Sequence, residues 1–198
     1  METDSTLLHA ARKMDKDALV RIFDLYASPL YNYALRLTGD PLLADQIVGD
    51  VFAKLLDQLA SGQGPQEHLR SYLYETAYHR IIDEARYSQR RVPLEAITLL
   101  PQDAYSASLR LEEKITFEQI LYALQNDLTA DQRHVIILRF LEGFSLRETA
   151  TILGKEVNHV KVIQNRAIAA LRNALAYNEV RKAMPYPRIK KVSNALNV

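Results

Sequence analysis

Between Thr129 and Arg172 the chain writes the same helix-start signal twice. Thr129-Ala-Asp-Gln132 and Ser145-Leu-Arg-Glu148 each place a hydroxyl three residues ahead of a Gln or Glu. In such a capping box the hydroxyl and the longer side chain satisfy two backbone N–H groups that the helix start leaves unpaired. After the second box, Leu146, Thr149, Ala150, Ile152 and Leu153 recur at helical spacing, and Gly154 follows where a left-handed residue ends a helix. Apolar periodicity resumes at Val157 and runs past Leu171. Two helices joined by a tight glycine-containing corner form a helix-turn-helix. This segment constrains the fold more than any other.

On a helical wheel at about 100° per residue, Val160, Ile163, Ala167, Leu171 and Ala174 cluster on one side of the second helix. Asn158, Lys161, Val162, Asn165, Ala169 and Arg172 cluster opposite, with no acid among them. Amides hydrogen-bond base edges, small apolar groups meet the thymine methyl, and Lys or Arg holds phosphate. The outer face therefore suits a DNA major groove. Charge agrees with this. Residues 1–85 carry 13 acids and 8 bases, whereas residues 86–198 carry 11 acids and 17 bases. A net charge of +1 thus conceals a basic second half suited to an anionic partner.

The first half also reads as helix. Asp17 is expected to cap a helix carrying Leu19, Ile22, Phe23 and Tyr26, with Pro29 opening a new turn that continues through Leu30, Tyr33, Ala34 and Leu37 to Gly39. Asp40-Pro41 starts the next helix, whose apolar stripe includes Ile47, Val51 and Leu55. "ASGQGPQEH" is a loop, and a long helix is expected from about Gln66 to Arg91. Two prolines and lost periodicity make residues 92–109 a linker. With few Gly and Pro and no predicted strand, the fold class is all-α, as two small helical domains on a flexible tether. The expected division is 1–91, linker 92–109, 110–177 with the helix-turn-helix, and a basic tail 178–198. Arg181, Lys182, Arg188, Lys190 and Lys191 in that tail are expected to lack structure and add weak phosphate attraction. The absence of cysteine excludes disulfides and thiolate metal sites. No run approaches the roughly 18 apolar residues of a membrane span, and the charged N-terminus is unlike a secretion signal, so a soluble cytoplasmic protein without membrane insertion is expected.

Residues 128–175 carry Gln132-Arg133, Leu138-Arg139, Glu142-Gly143-Phe144-Ser145, Glu148, Ala150, Leu153-Gly154, Val160-Lys161, Arg166-Ala167 and Leu171-Arg172. In these signs the segment resembles the −35 reading domain of bacterial RNA polymerase sigma factors. "LYNYALRLTGDPLLADQIVGDVFAKLL" resembles the segment by which those factors bind the polymerase clamp, and "LRSYLYETAYHRIIDEARYSQRR" the segment that opens and holds the −10 element. With two matching domains in order, the chain is similar to the small extracytoplasmic-function group. Departures are Gln46 for Asp, Gly49 for Gln, Tyr72 for Trp, His79 for Asn and Glu156 for Ser. Gly49 leaves open a close-packing site or a modest core affinity.

The resemblance implies core polymerase (clamp and flap regions) and promoter DNA as partners, an anti-sigma factor as a further one, and no cofactor. It assigns polymerase contact to Asp45, Gln46, Asp50, Phe52 and Lys54. It assigns the −10 element to Ser61, Gln63, Tyr72, His79, Arg80, Arg86, Arg90 and Arg91, and the −35 element to Asn158, His159, Lys161, Val162, Asn165, Arg166 and Arg172. Bases interleaved with aromatics suit a separated strand, since cations track phosphates and rings stack on bases. A helix-turn-helix regulator binding duplex without polymerase is the alternative, and a helical protein adaptor a third. An enzyme fares poorly: His79 and Asp83, one turn apart, are two possible ligands without a third, and there is no phosphate-cradling glycine loop.

Overall fold

The computed structural model describes residues 4–89, 120 and 122–183. The expected linker and most of the tail lie outside them, as do Arg90 and Arg91. Among the described residues every regular element is helical. The first half contains α1 (Asp4–Ala11), α2 (Lys16–Thr38), α3 (Pro41–Ala60) and α4 (Leu69–Gln89). The second contains a short helical stretch at 122–126, then α5 (Ala130–Ile136), a π turn (Ile137–Leu141), α6 (Leu146–Ile152) and α7 (Val157–Ala183).

Local capping chemistry sets most boundaries. The Asp40 carboxylate accepts from the N–H groups of Leu42 and Leu43, with Pro41 in the first turn. Both capping boxes form. Ser145 Oγ accepts from the Glu148 N–H at 3.2 Å while Glu148 Oε2 accepts from the Ser145 N–H at 2.7 Å. These bonds from Ser145 hold the Glu148 carboxyl below its usual range. At the helix-turn-helix corner, Gly154 takes φ +59°. Its N–H donates to Thr151 O, and the Lys155 N–H to Ala150 O, which is the Schellman closure of α6.

Three expectations change. Asp15, not Asp17, caps α2, accepting from the Ala18 N–H at 2.9 Å. Pro29 does not interrupt α2; the helix runs through it. Proline forfeits only the bond to the Leu25 carbonyl, and Leu25 is exposed, where water can take that bond. The buried Leu30, Tyr33 and Ala34 then hold the second part of α2 in register. Finally, α7 continues to Ala183, so Arg181 and Lys182 lie on a helix rather than in an unstructured tail.

In the first half, Ile47, Val51 and Leu55 of α3 meet Leu30 and Tyr33 of α2 and Leu69, Leu73 and Ala77 of α4 in one core. The short α1 completes it with Leu7, Leu8 and Ala11, and Tyr26 Oη donates to Asp4 Oδ2 at 2.6 Å. Gly49 is exposed, and a Cβ there would meet nothing within 4 Å, which removes the close-packing reading. In the second half, Leu124, Leu128, Ile136 and Ala167 form a small cluster. Val135, Ile137, Leu138, Phe144, Ile152, Leu153, Val160 and Ile163 instead join the core of the first half. The two domains therefore touch, with α4 lying against α6.

Candidate functional site

The helix-turn-helix presents its second helix as its pattern requires. Val160, Ile163 and Ala167 are buried, and Leu171 and Ala174 half-buried. Asn158, His159, Lys161, Val162, Asn165, Arg166 and Arg172 are all exposed. Among the described residues, none of these seven has an ion-pair partner, so the three cations stand unneutralised. Glu156, one residue ahead of the helix, is exposed as well. Arg139 braces the module from behind: its Nε donates to Gln164 Oε1 at 3.0 Å and its Nη1 to the Phe144 carbonyl.

The outer face of α4 is arranged differently. His79 and Arg86 are exposed, each beside an acid: Glu75 Oε1 at 3.9 Å and Asp83 Oδ1 at 3.8 Å. Arg80 is held more tightly, its Nε donating to Asp50 Oδ2 at 2.6 Å and its Nη1 to Glu84 Oε2 at 3.2 Å. The Asp50 bond keeps the guanidinium pKa above its ordinary value. Two residues assigned from sequence to different partners, Asp50 and Arg80, thus bind each other. Tyr72 is half-buried, and that burial raises its phenol pKa.

Ser61 and Gln63 are exposed in the loop before α4. The loop is held close to α3 at Gly64, where a Cβ would sit 2.7 Å from the Leu59 side chain. It ends at His68 with φ +54°, a left-handed conformation that L-residues rarely adopt. On α3, Asp45, Gln46 and Lys54 are exposed. Phe52 is not: it is 9% exposed and packs on the Phe23 ring at 4.8 Å.

Sequence reasoning missed the seam between the halves. Arg70, Tyr74 and Tyr78 follow one another at four-residue spacing on α4, and Tyr33 and Arg36 extend the surface on α2. Opposite them stand His134, Leu138, Glu142 and Phe144. Glu142 accepts from Arg36 Nη1 at 3.1 Å and from Tyr74 Oη at 2.5 Å, and its carbonyl accepts from Arg70 Nη2. The Arg70 guanidinium lies 4.1 Å from the Phe144 ring centre. Tyr33 Oη and His134 Nδ1 share a hydrogen bond of 2.9 Å, and Tyr78 meets the imidazole edge-on at 4.9 Å. Burial lowers the His134 pKa to about 4 and raises those of Tyr33 and Tyr74, so all three rings are neutral near pH 7. Periodicity could not reveal these pairs, whose partners lie far apart in sequence.

Comparison with known proteins bears on these surfaces together. Residues 22–91 match the family model for sigma-70 region 2, and residues 126–173 that for sigma-70 region 4. The chain is 30% identical over 156 residues to the ECF RNA polymerase sigma factor SigX of Bacillus subtilis, covering 76% of this chain and 80% of SigX. It is 25% identical over 171 residues to the ECF RNA polymerase sigma factor BldN of Streptomyces coelicolor, covering 85% of this chain and 64% of BldN. Among solved structures, the sigma factor RpoE from Bartonella quintana, in complex with the anti-sigma factor NepR, superposes with a TM-score of 0.64 at 26% identity, over 79% of this chain and 95% of that one. CnrH, solved with the cytosolic domain of CnrY, shares the fold, with a TM-score of 0.66 at 21% identity over 88% of this chain and 97% of that one.

Proposed function

The chain belongs to the extracytoplasmic-function RNA polymerase sigma factors, which bind core polymerase and direct promoter recognition for transcription initiation, and from that premise we infer how its surfaces divide the work. The N-terminal half serves the polymerase clamp and the −10 element. The C-terminal half serves the −35 element and the flap region.

In this reading α7 enters the major groove. Lys161, Arg166 and Arg172 take phosphates, while Asn158 and Asn165 reach base edges and Val162 offers an apolar contact. The single observation that carries the reading is the outer face of α7, exposed and cationic, with no acid among its seven assigned residues. A helix that needed only to stabilise its own domain gains nothing from leaving three cations without an ion-pair partner among the described residues. The exposed His79, Arg86, Ser61 and Gln63, with the ring of Tyr72, form the −10 surface, where stacking and phosphate contact hold a separated strand. Asp45, Gln46 and Lys54 are the polymerase contacts, with Asp50 available once Arg80 lets it go.

The chain itself performs no bond chemistry in this account; the polymerase does, in the cytoplasm. No helix among the described residues is long and apolar enough to cross a membrane. The likeness to RpoE, solved with an anti-sigma factor, supports an anti-sigma partner here as well. The test is run-off transcription with purified core polymerase on genomic promoter fragments. Specific starts that require both proteins are expected. Tight, specific gel shifts by the chain alone, with no specific starts when core is added, would instead favour a regulator that works without polymerase.

A further inference from the structure

We propose that Gly64 is a positioning residue for −10 recognition: it lets the loop before α4 seat directly on Leu59, so that Ser61 and Gln63 are fixed in place before DNA arrives. The proposal rests on the −10 assignment of Ser61 and Gln63 and names what holds them.

A loop of small polar residues has many conformations open to it, and ordering it only on binding subtracts from the affinity it can give. Here the chain does the ordering itself. The start of the loop is tied to the end of α3. The Ser61 N–H donates to Asp57 O at 3.0 Å, the Gly62 N–H to Leu59 O at 3.1 Å and the Gln63 N–H to Gln58 O at 2.9 Å. The Ser61 hydroxyl donates to Gln58 O at 3.1 Å, and its oxygen keeps its capacity to accept. At the far end, the His68 carbonyl accepts from the N–H of Tyr72, itself assigned to the −10 surface, at 3.1 Å.

Between these ends the loop turns inward at Gly64, which is buried while Ser61, Gln63 and Gln66 are exposed. A Cβ on Gly64 would lie 2.7 Å from Leu59 Cδ2 and 3.3 Å from both Cγ and Cα of Leu59. The shortest of these is well inside the roughly 3.5–4.0 Å of carbon–carbon contact. Leu59 is 4% exposed and belongs to the core of the first half, so it cannot turn away. Space alone excludes a side chain, because Gly64 does not share the left-handed backbone of Gly62, whose φ is +73°. Gly49 is the contrast, exposed and with nothing within 4 Å of an added Cβ. Gly64 is therefore where the loop is pinned to a rigid helix, and exposed Gln63 is its immediate neighbour. An alanine at this position must push the loop off Leu59 and carry Gln63 with it. The loop can give way where the core cannot, so the variant is expected to fold. Asp45 and Gln46 stand near the opposite end of α3 and are left in place.

The test measures holoenzyme binding to fluorescent single-stranded −10 oligonucleotides, with every base tried at each position of an element mapped by run-off transcription. Gly64→Ala should cut the preference for the best base over the next, at the position the loop reads, by about fivefold, the lower end of what one base contact contributes. Core affinity and the order of preference among −35 duplexes should be unchanged. Leu59→Val removes the atom at 2.7 Å, and Gly64→Ala combined with Leu59→Val should recover most of the lost preference. Two changes that merely destabilise would add, leaving the double variant worse than either single one. Unchanged preference in Gly64→Ala, or a double variant worse than Gly64→Ala alone, overturns the proposal. Ser61→Ala and Gln63→Ala probe the reading beneath it. If neither alters any base preference, the −10 assignment falls and the proposal with it. If they do and Gly64→Ala does not, only the seat on Leu59 falls.

Discussion

The seam and the outer face of α7 are both rich in polar residues, but they differ in where those residues find partners. At the seam the polar side chains meet groups from the other half, partly buried Glu142 with Arg36 and Tyr74 and buried His134 with Tyr33. On α7, Lys161, Arg166 and Arg172 are exposed and without an ion-pair partner among the described residues. One surface is completed by the chain itself, and the other is left for something outside it. The outer face of α4 falls between: among its described residues His79, Arg80 and Arg86 each stand beside an acid. A cation with no acid nearby has nothing to give up when it meets a phosphate, whereas a paired one must first release its carboxylate.

The largest expected effect comes from acid at the seam. The imidazole of His134 is faced by Tyr33 and Tyr78 and lies in the field of Asp131, Arg133 and Lys155. Desolvation dominates and lowers its pKa to about 4, against an ordinary 6.5. Once released, the imidazole takes up a proton below pH 6.5; held closed, it does so only below about 4. Closure is therefore fully stable above the higher value and weakens as pH falls between the two. At about 1.4 kcal/mol per unit, the loss reaches about 3 kcal/mol. Urea denaturation of the parent and of His134→Gln, at pH 7 and pH 4.5, separates this proton from the carboxylates that both proteins share. The parent should lose the additional stability. Equal losses would mean that His134 is already wet, and the contrast between the two surfaces would fail.

What could be read in the sequence was what neighbours along the chain decide. Capping boxes at Thr129 and Ser145, the corner at Gly154, Asp40-Pro41 and the buried stripe of α3 all depend on residues within a few positions of each other. So does the split of α7 into buried Val160, Ile163 and Ala167 and an exposed opposite side. At Pro29 the local rule is overridden by packing on the far side of the proline. The eight-residue α1 offers too short a pattern to predict that Leu7, Leu8 and Ala11 close the first core. The π turn at Ile137–Leu141 hides in an almost continuous apolar run, "VIILRFL", where period cannot be measured. The seam was illegible for a deeper reason. Tyr33 and His134, or Arg36 and Glu142, are about a hundred residues apart, and each reads alone as an ordinary polar member of an amphipathic helix. The pairing of Arg80 with Asp50 across two helices escaped for the same reason.

The next effects belong to α7 and ask whether its exposed residues do different jobs. Asn165→Ala should change the order of preference among −35 sequences, by about 1–3 kcal/mol at the base it reads. Lys161→Ala should weaken binding to every sequence alike and reduce the slope of log affinity against log salt by about 0.9. Both are measured with holoenzyme on a panel of promoter duplexes at several salt concentrations. If the two variants lose the same affinity on every sequence, the face is only a charged surface and its amides read nothing.

The smallest effect is expected on α4, and it tests the intermediate case most directly. Asp50→Asn removes the acid closest to Arg80 but leaves Glu84 at 3.2 Å. Exposed pairs of this kind contribute about 0–1 kcal/mol, so releasing one should strengthen binding of a single-stranded −10 oligonucleotide by no more than about fivefold. The salt slope should steepen at the same time by up to about 0.7, the value for one added phosphate contact on a single strand. Arg80→Gln in the same background should abolish both changes. Since Asp50 is also a proposed polymerase contact, the oligonucleotide is titrated against the chain alone, and core affinity is measured separately. A gain in strand binding with a loss in core binding would make Asp50 a switch between two partners of one helix pair. An unchanged slope would mean that Arg80 serves only to tie α3 to α4, and that the acids beside the α4 cations are structural rather than a brake on DNA contact.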